Sequence, residues 1–261
     1  MKKGIFTWIG YPLPFEERIR LIKHAGFETV MLWWYDDNTA YNGLKTDQPA
    51  IVRRYGLTIE NAHLPYNGIG ILWKDSPEAD AYEQRLADAI TECAAYQIPT
   101  VVMHITNGSA LPELSSIMIQ RIKRLAGVAR SVNVRLALEN LKVVEALDYL
   151  LANIADENVG FCFDSGHHNC YAKQRQLLDA YGERLFAIHL HDNFADSDMH
   201  MLPYDGNINW PSTMRKIKSS AYQGSLTLEL EGSKFSGYHA LSAEQYLAEA
   251  YQRVCRLDDE K

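Results

Sequence analysis

A parallel eight-stranded (β/α)8 barrel is the fold class this sequence predicts, on three observations. Strand-like apolar runs and amphipathic helix-like stretches alternate strictly along the chain. Eight such units fall within 261 residues, about the length that a closed barrel ringed by helices needs. No Gly-rich fingerprint follows the first strand, where the string TWIGYPLP stands instead, so the open dinucleotide-binding sheet loses its main signature.

The elements follow from apolar period and from punctuation by Gly, Pro and Asn. Strands are expected at residues 4–9, 29–34, 58–63, 100–105, 135–139, 159–164, 185–191 and 225–230, each a short run rich in apolar and β-branched side chains. Between them the 3.6-residue period predicts helices at 15–25, 48–55, 77–95, 112–131, 144–154, 173–181 and 211–220, and a last helix at 242–256. No composition break or low-complexity stretch interrupts the series, so one barrel domain over 1–261 is expected. The longest irregular segment, residues 194–210, follows the seventh strand and should lie over the barrel mouth.

Composition narrows the function classes. The chain is 47% hydrophobic and 23% charged, ordinary for a globular protein with a sizeable core. A net charge of -7 disfavours a nucleic-acid partner, which calls for a basic surface. No run is long enough to cross a bilayer, and the N-terminal stretch has neither the apolar length nor the cleavage site of a secretory leader. Cys93, Cys162, Cys170 and Cys255 show no close-pair spacing, so reduced thiols and a cytoplasmic location are expected.

The chemistry gathers at strand ends. Glu139 closes RLALE, Asp164 closes VGFCFD, His189 stands late in LFAIHLH and Glu229 late in SLTLELE. In a barrel the carboxyl ends of all strands converge on one face, so these four residues become neighbours. Three carboxylates and an imidazole suit a divalent ion such as manganese, magnesium, cobalt or zinc. A single carboxylate at a strand end caps the next helix or pairs with a lysine as readily as it binds metal. Capping accounts poorly for four at matched ends.

His63, His104, His167, Asp198 and His200 belong to the same face, as further metal ligands, as substrate-binding groups or as hydrogen-bonded wall residues. His191 shares a strand face with His189 but lies beyond it, and His168 follows His167; both are left outside the site. Phe6, Trp8, Trp33 or Trp34, and Tyr66 reach the mouth, and Trp8 is the preferred wall for a sugar-sized ligand. Lys142, Arg184 and Lys234 are the candidate partners for any phosphate on that ligand.

Laid out in this order, the strings AHLPY, VMHITNG, LALEN, FDSGHH, HLHD, DMHMLPYDGNINW and LELEG resemble the sugar phosphate isomerase/epimerase family. These are xylose isomerase-like TIM barrels related to the type IV apurinic endonucleases. In ketose epimerases the residues matching Glu139, Asp164, His189 and Glu229 bind one divalent metal, and the two glutamates exchange protons with the sugar. In the endonucleases the residues matching all nine positions hold three zinc ions. The resemblance implies a small-molecule sugar substrate, a metal-dependent isomerase or epimerase working through an enediolate, and a homo-oligomer. A multinuclear phosphodiesterase and a non-catalytic sugar-binding barrel are the alternatives. The MLPYDGNINW loop is similar to the sugar branch, although Tyr204-Asp205 replaces its usual Gly-containing turn. No arginine follows His189 at the position where ketose epimerases often carry one.

Overall fold

The apolar runs form strands, four of which end on the polar residue itself: His63, Glu139, Asp164 and His189. In the computed structural model, which describes residues 1–36 and 39–260, the strands are β1 (Lys3–Phe6), β2 (Thr29–Trp33), β3 (Thr58–His63), β4 (Thr100–Met103), β5 (Arg135–Glu139), β6 (Val159–Asp164), β7 (Leu185–His189) and β8 (Leu226–Leu228). All neighbours run parallel in the order β7-β6-β5-β4-β3-β2-β1-β8. A parallel bridge between Leu190 and Leu228 joins the two ends. Leu190 N donates to Thr227 O at 2.9 Å and Glu229 N to Leu190 O at 3.1 Å, so the predicted barrel closes.

Helices fill the outside: α1 (Phe15–Ala25), α2 (Thr39–Asn42), α3 (Gln48–Arg54), α4 (Pro77–Ala95), α5 (Ser116–Ser131), α6 (Val144–Asn153), α7 (Ser165–Tyr171), α8 (Leu177–Tyr181), α9 (Trp210–Ser219) and α10 (Ala243–Asp259). The starts follow local chemistry. Ser76 caps α4 through Ala79 N, with Pro77 in the first turn, and Ser242 and Gln245 form a reciprocal capping box at α10. None of the described helices is long and apolar enough to cross a membrane.

Two expectations change. Strands expected to reach Ile9, Ile105, His191 and Leu230 end at Phe6, Met103, His189 and Leu228, because the backbone leaves the ladder to aim the polar ends at the mouth. The helix expected at 173–181 is shorter, and an unexpected one precedes it. Asp164 caps a new helix immediately after β6, and only Leu177–Tyr181 of the expected stretch is helical.

Inside the barrel, Val102, Ala137, Cys162 and Ala187 form a small apolar layer, all fully buried. Each lies two residues before a site residue: His104, Glu139, Asp164 and His189. Side chains alternate across a strand, so this layer is the floor on which the polar groups stand. Burial pushes the Cys162 thiol up to about 12, so it stays neutral beneath His189. Further down, the register shifts at Phe161/Cys162 and Phe186 turns inward beneath Arg135, 4.9 Å from the guanidinium. Gly160 makes the room, since a Cβ there would overlap the Phe186 ring. Gly160→Ala is expected to cost about 1–3 kcal/mol by overpacking. A lower urea midpoint with an unchanged slope checks this.

Candidate metal centre

At the mouth the strand ends bring together three sets of metal-type donors, two of them sharing Glu139: Glu139, Asp164, His189 and Glu229; His63, His104 and Glu139; and His191, Asp198 and His200. The donor atoms within each set lie within 4.8 Å of one another. His63, His104, Glu139, Asp198, His200 and Glu229 of these sets line a cavity of about 400 Å³ whose other wall is aromatic, with Phe6, Trp8, Trp33 and Tyr66. All nine polar residues expected at this face are there, and Trp8 lines the cavity as expected. Trp33 is the strand-two tryptophan that reaches it. Trp34 turns outward, where its Nε1 donates to Glu92 at 3.1 Å.

Glu139 is the hub. It is 1% exposed, and its Oε2 lies 3.1 Å from His63 Nε2 and 3.2 Å from His104 Nε2. Its Oε1 faces His167 Nδ1 at 3.3 Å and His189 Nδ1 at 3.5 Å. Asn140, the next residue, ties the two central strand ends together. Its Nδ2 donates to Asp164 O at 2.9 Å, and its Oδ1 accepts from Asp164 N at 2.8 Å. Asp164 Oδ1 accepts from His167 N at 2.7 Å, so one side chain both caps α7 and joins the donor set.

His191 corrects the sequence reading. It is fully buried, its Nε2 lies 3.0 Å from Asp164 Oδ1, and its ring stacks on His200 at 4.1 Å. Ser165 fixes it, with Oγ donating to His191 O at 2.7 Å and accepting from His191 N at 2.9 Å. Gly166 is required here because a Cβ would occupy the His191 ring. His168 lies outside as expected, with Nε2 against Arg175 O at 2.8 Å.

Asp192 is the second residue the sequence reading passed over. One carboxylate accepts from Asn193 N (2.9 Å), Ile208 N (3.2 Å), Tyr204 N (3.0 Å) and Trp210 Nε1 (2.8 Å). It thereby folds the 194–210 segment back over the barrel and presents Asp198 and His200. His200 and Tyr204 hold positive φ of 47° and 74°, backbone strain that these bonds sustain.

The donor chemistry fits a cation. His63 Nδ1 lies 2.8 Å from Leu64 O and His200 Nδ1 2.9 Å from Glu229 O. A carbonyl can only accept, so these nitrogens carry the protons. A neutral ring then turns an Nε2 lone pair toward a carboxylate: His63 toward Glu139, and His200 toward Asp198 at 2.9 Å. Two lone pairs at that separation need a positive charge between them, a proton or a metal ion. His189 Nδ1 and Glu229 Oε2 tell the same story, 3.0 Å apart, buried and without an aligned hydrogen bond.

Electrostatics agree. Burial alone would raise the carboxyls and lower the imidazoles, but opposite charges outweigh it. His104 and His189 hold Glu139 well below its ordinary 4.5, and His189 and His200 hold Glu229 below the same value. Asp164, Asp198 and Glu139 lift His167 well above 6.5, while Glu229 and Glu139 lift His189. In His104 burial dominates and lowers the value. The depressed carboxyls add stability above 4.5 and lose it as pH falls through their folded values. The raised imidazoles add stability below 6.5 and lose it as pH rises through theirs. Both contributions are therefore full between 4.5 and 6.5. Chelator-treated protein is expected to be most heat-stable in that window in scanning calorimetry, and a Tm still climbing at about pH 8 would contradict it.

Residues 19–256 match the family model described as xylose isomerase-like TIM barrel. The chain belongs to that family. Among similar proteins, the uncharacterized protein y4fM of Sinorhizobium fredii is 26% identical over 98% of this chain and 93% of its own. The D-psicose 3-epimerase of Clostridium cellulolyticum, solved with D-tagatose, superposes with a TM-score of 0.78 at 16% identity, covering 98% of both chains. The 3-keto-D-glucoside 4-epimerase YcjR of E. coli does so at 0.73 and 18%, covering 99% of both. At these identities the solved structures share the fold. Within this xylose isomerase-like barrel, the donor sets lie where the carboxyl ends of the strands meet.

Proposed function

We propose that this protein is a divalent-metal-dependent sugar isomerase or epimerase. The observation that carries the reading is the four-donor set Glu139, Asp164, His189 and Glu229, of which Glu139 and Glu229 line a cavity with an aromatic wall. A manganese, magnesium, cobalt or zinc ion held by those residues would supply Lewis-acid polarisation of a sugar carbonyl and its adjoining hydroxyl. The chain's own groups do the rest. Glu229, at the cavity face, takes the proton from the carbon next to the carbonyl, and Glu139 stands on the other side to return one. His167, between Glu139 and Asp198, donates a hydrogen bond to the enediolate oxygen. Trp8 and Trp33 cover the sugar's apolar face and exclude water.

Run in D2O over a panel of ketoses and aldoses, the metal-loaded protein is expected to place deuterium at the carbon next to the carbonyl. Turnover without incorporation would remove the proton-transfer mechanism.

One observation favours a second reading. Glu139 is shared by two donor sets, and a third set stands beside them, an arrangement suited to a multinuclear site hydrolysing phosphoesters. Three ions per chain with cleavage of an abasic duplex supports that reading, and one ion with sugar turnover supports the first.

A further inference from the structure

We infer that the substrate is an unphosphorylated, uncharged sugar, an inference that rests on the proposed sugar reading and narrows it. The cavity has a metal-type floor and a far wall, and the far wall offers an anion no unpaired lysine or arginine. Its face is made by Phe6, Trp8, Phe15 and Trp33, with Thr7, Asn42 and Gln48 among them. Behind Trp8 stands the one arginine nearby, Arg18, 5.0 Å from the ring and 1% exposed. Its donors go inward, to Thr7 O, Leu13 O and Asn42 Oδ1. Among the described residues lining the cavity, Lys234 is the single lysine or arginine, and its Nζ is 3.2 Å from Glu231. Glu139, Asp198, Glu229 and Glu231 line the same space.

Many backbone amides of the loops are committed as well. In (β/α)8 barrels the loops after strands seven and eight are the usual seat for a phosphate. After β8 the amides of Glu231, Gly232 and Lys234 donate to His200 O, Ile9 O and Glu231 O. After β7 those of Met201, Tyr204, Asn207 and Ile208 are taken by Asp192 and Asn193. A phosphate dianion here would lose its hydration against indole faces and carboxylates and meet no unpaired lysine or arginine in return. A neutral sugar has what the wall offers: C–H faces for Trp8 and Trp33, and hydroxyls that donate to Glu231. Lys142 and Arg184, the other candidate phosphate partners, are elsewhere. Lys142 stacks on Tyr171, and Arg184 donates to Leu151 O, Ile154 O and Val159 O.

The test uses the metal-loaded protein, a panel of ketopentoses and ketohexoses, and the terminal phosphate ester of each. Tryptophan fluorescence titration reads binding and a coupled assay reads turnover. Free sugars are expected to be favoured by about a hundredfold or more. Glu231→Gln, which leaves Lys234 without its carboxylate partner, is expected to narrow that preference by roughly tenfold or more. Equal or better use of the phosphate esters, or no binding of any free sugar, overturns the inference. Selective quenching by free sugars without turnover upholds it and removes the isomerase reading instead.

Discussion

Glutamine in place of Glu229 is expected to lower turnover by about 10²–10⁴-fold, the usual worth of a positioned acid or base. The two glutamates are not equivalent. The Glu139 side chain is 1% exposed and faces four imidazoles, whereas that of Glu229 is 14% exposed and faces the cavity one residue beyond β8. Glutamine keeps the size and one coordinating oxygen but cannot accept a proton. The loss should therefore fall on kcat, with the KM and the circular dichroism spectrum near those of the parent. Full turnover at unchanged metal content would assign the proton transfer to another group.

The strand ends were legible because each switches from apolar to ionisable within one residue, and closure of the barrel then forces those ends together. That logic located Glu139, Asp164, His189 and Glu229 without any knowledge of spacing in three dimensions. It failed at His191 for a specific reason. Parity along a strand assigns a face only while the strand lasts, and β7 ends at His189. What returns the His191 ring to Asp164 is the space left by Gly166 and the grip of Ser165, both on α7. Those are contacts between distant segments, which no local period encodes. Asp192 escaped likewise, since its four partners extend from Asn193 to Trp210. The choice between Trp33 and Trp34 needed the β2–β3 register, in which Trp33 pairs with His63. One Asp164 carboxylate both caps α7 and stands in the four-donor set.

The largest effect on metal binding is expected from Glu139→Gln. Metal that binds the folded chain and not the unfolded one stabilises it by about 2.7 kcal/mol at a hundredfold excess over Kd. For a chain of this size that raises Tm by roughly 5–10 °C. Glu139 belongs to two of the three donor sets, so its loss weakens both at once, whereas Asp164 or Glu229 belongs to one. The neutral amide also leaves His63 and His104 facing a group with no charge to share. The variant is therefore expected to lose most of the metal-dependent rise in Tm, and its metal content should fall in elemental analysis. Asp164→Asn gives the internal comparison: it removes a carboxylate from the four-donor set but leaves the His63, His104 and Glu139 set intact. If Glu139→Gln kept the full thermal response to manganese, cobalt and zinc, Glu139 would be a buried partner of histidines and nothing more.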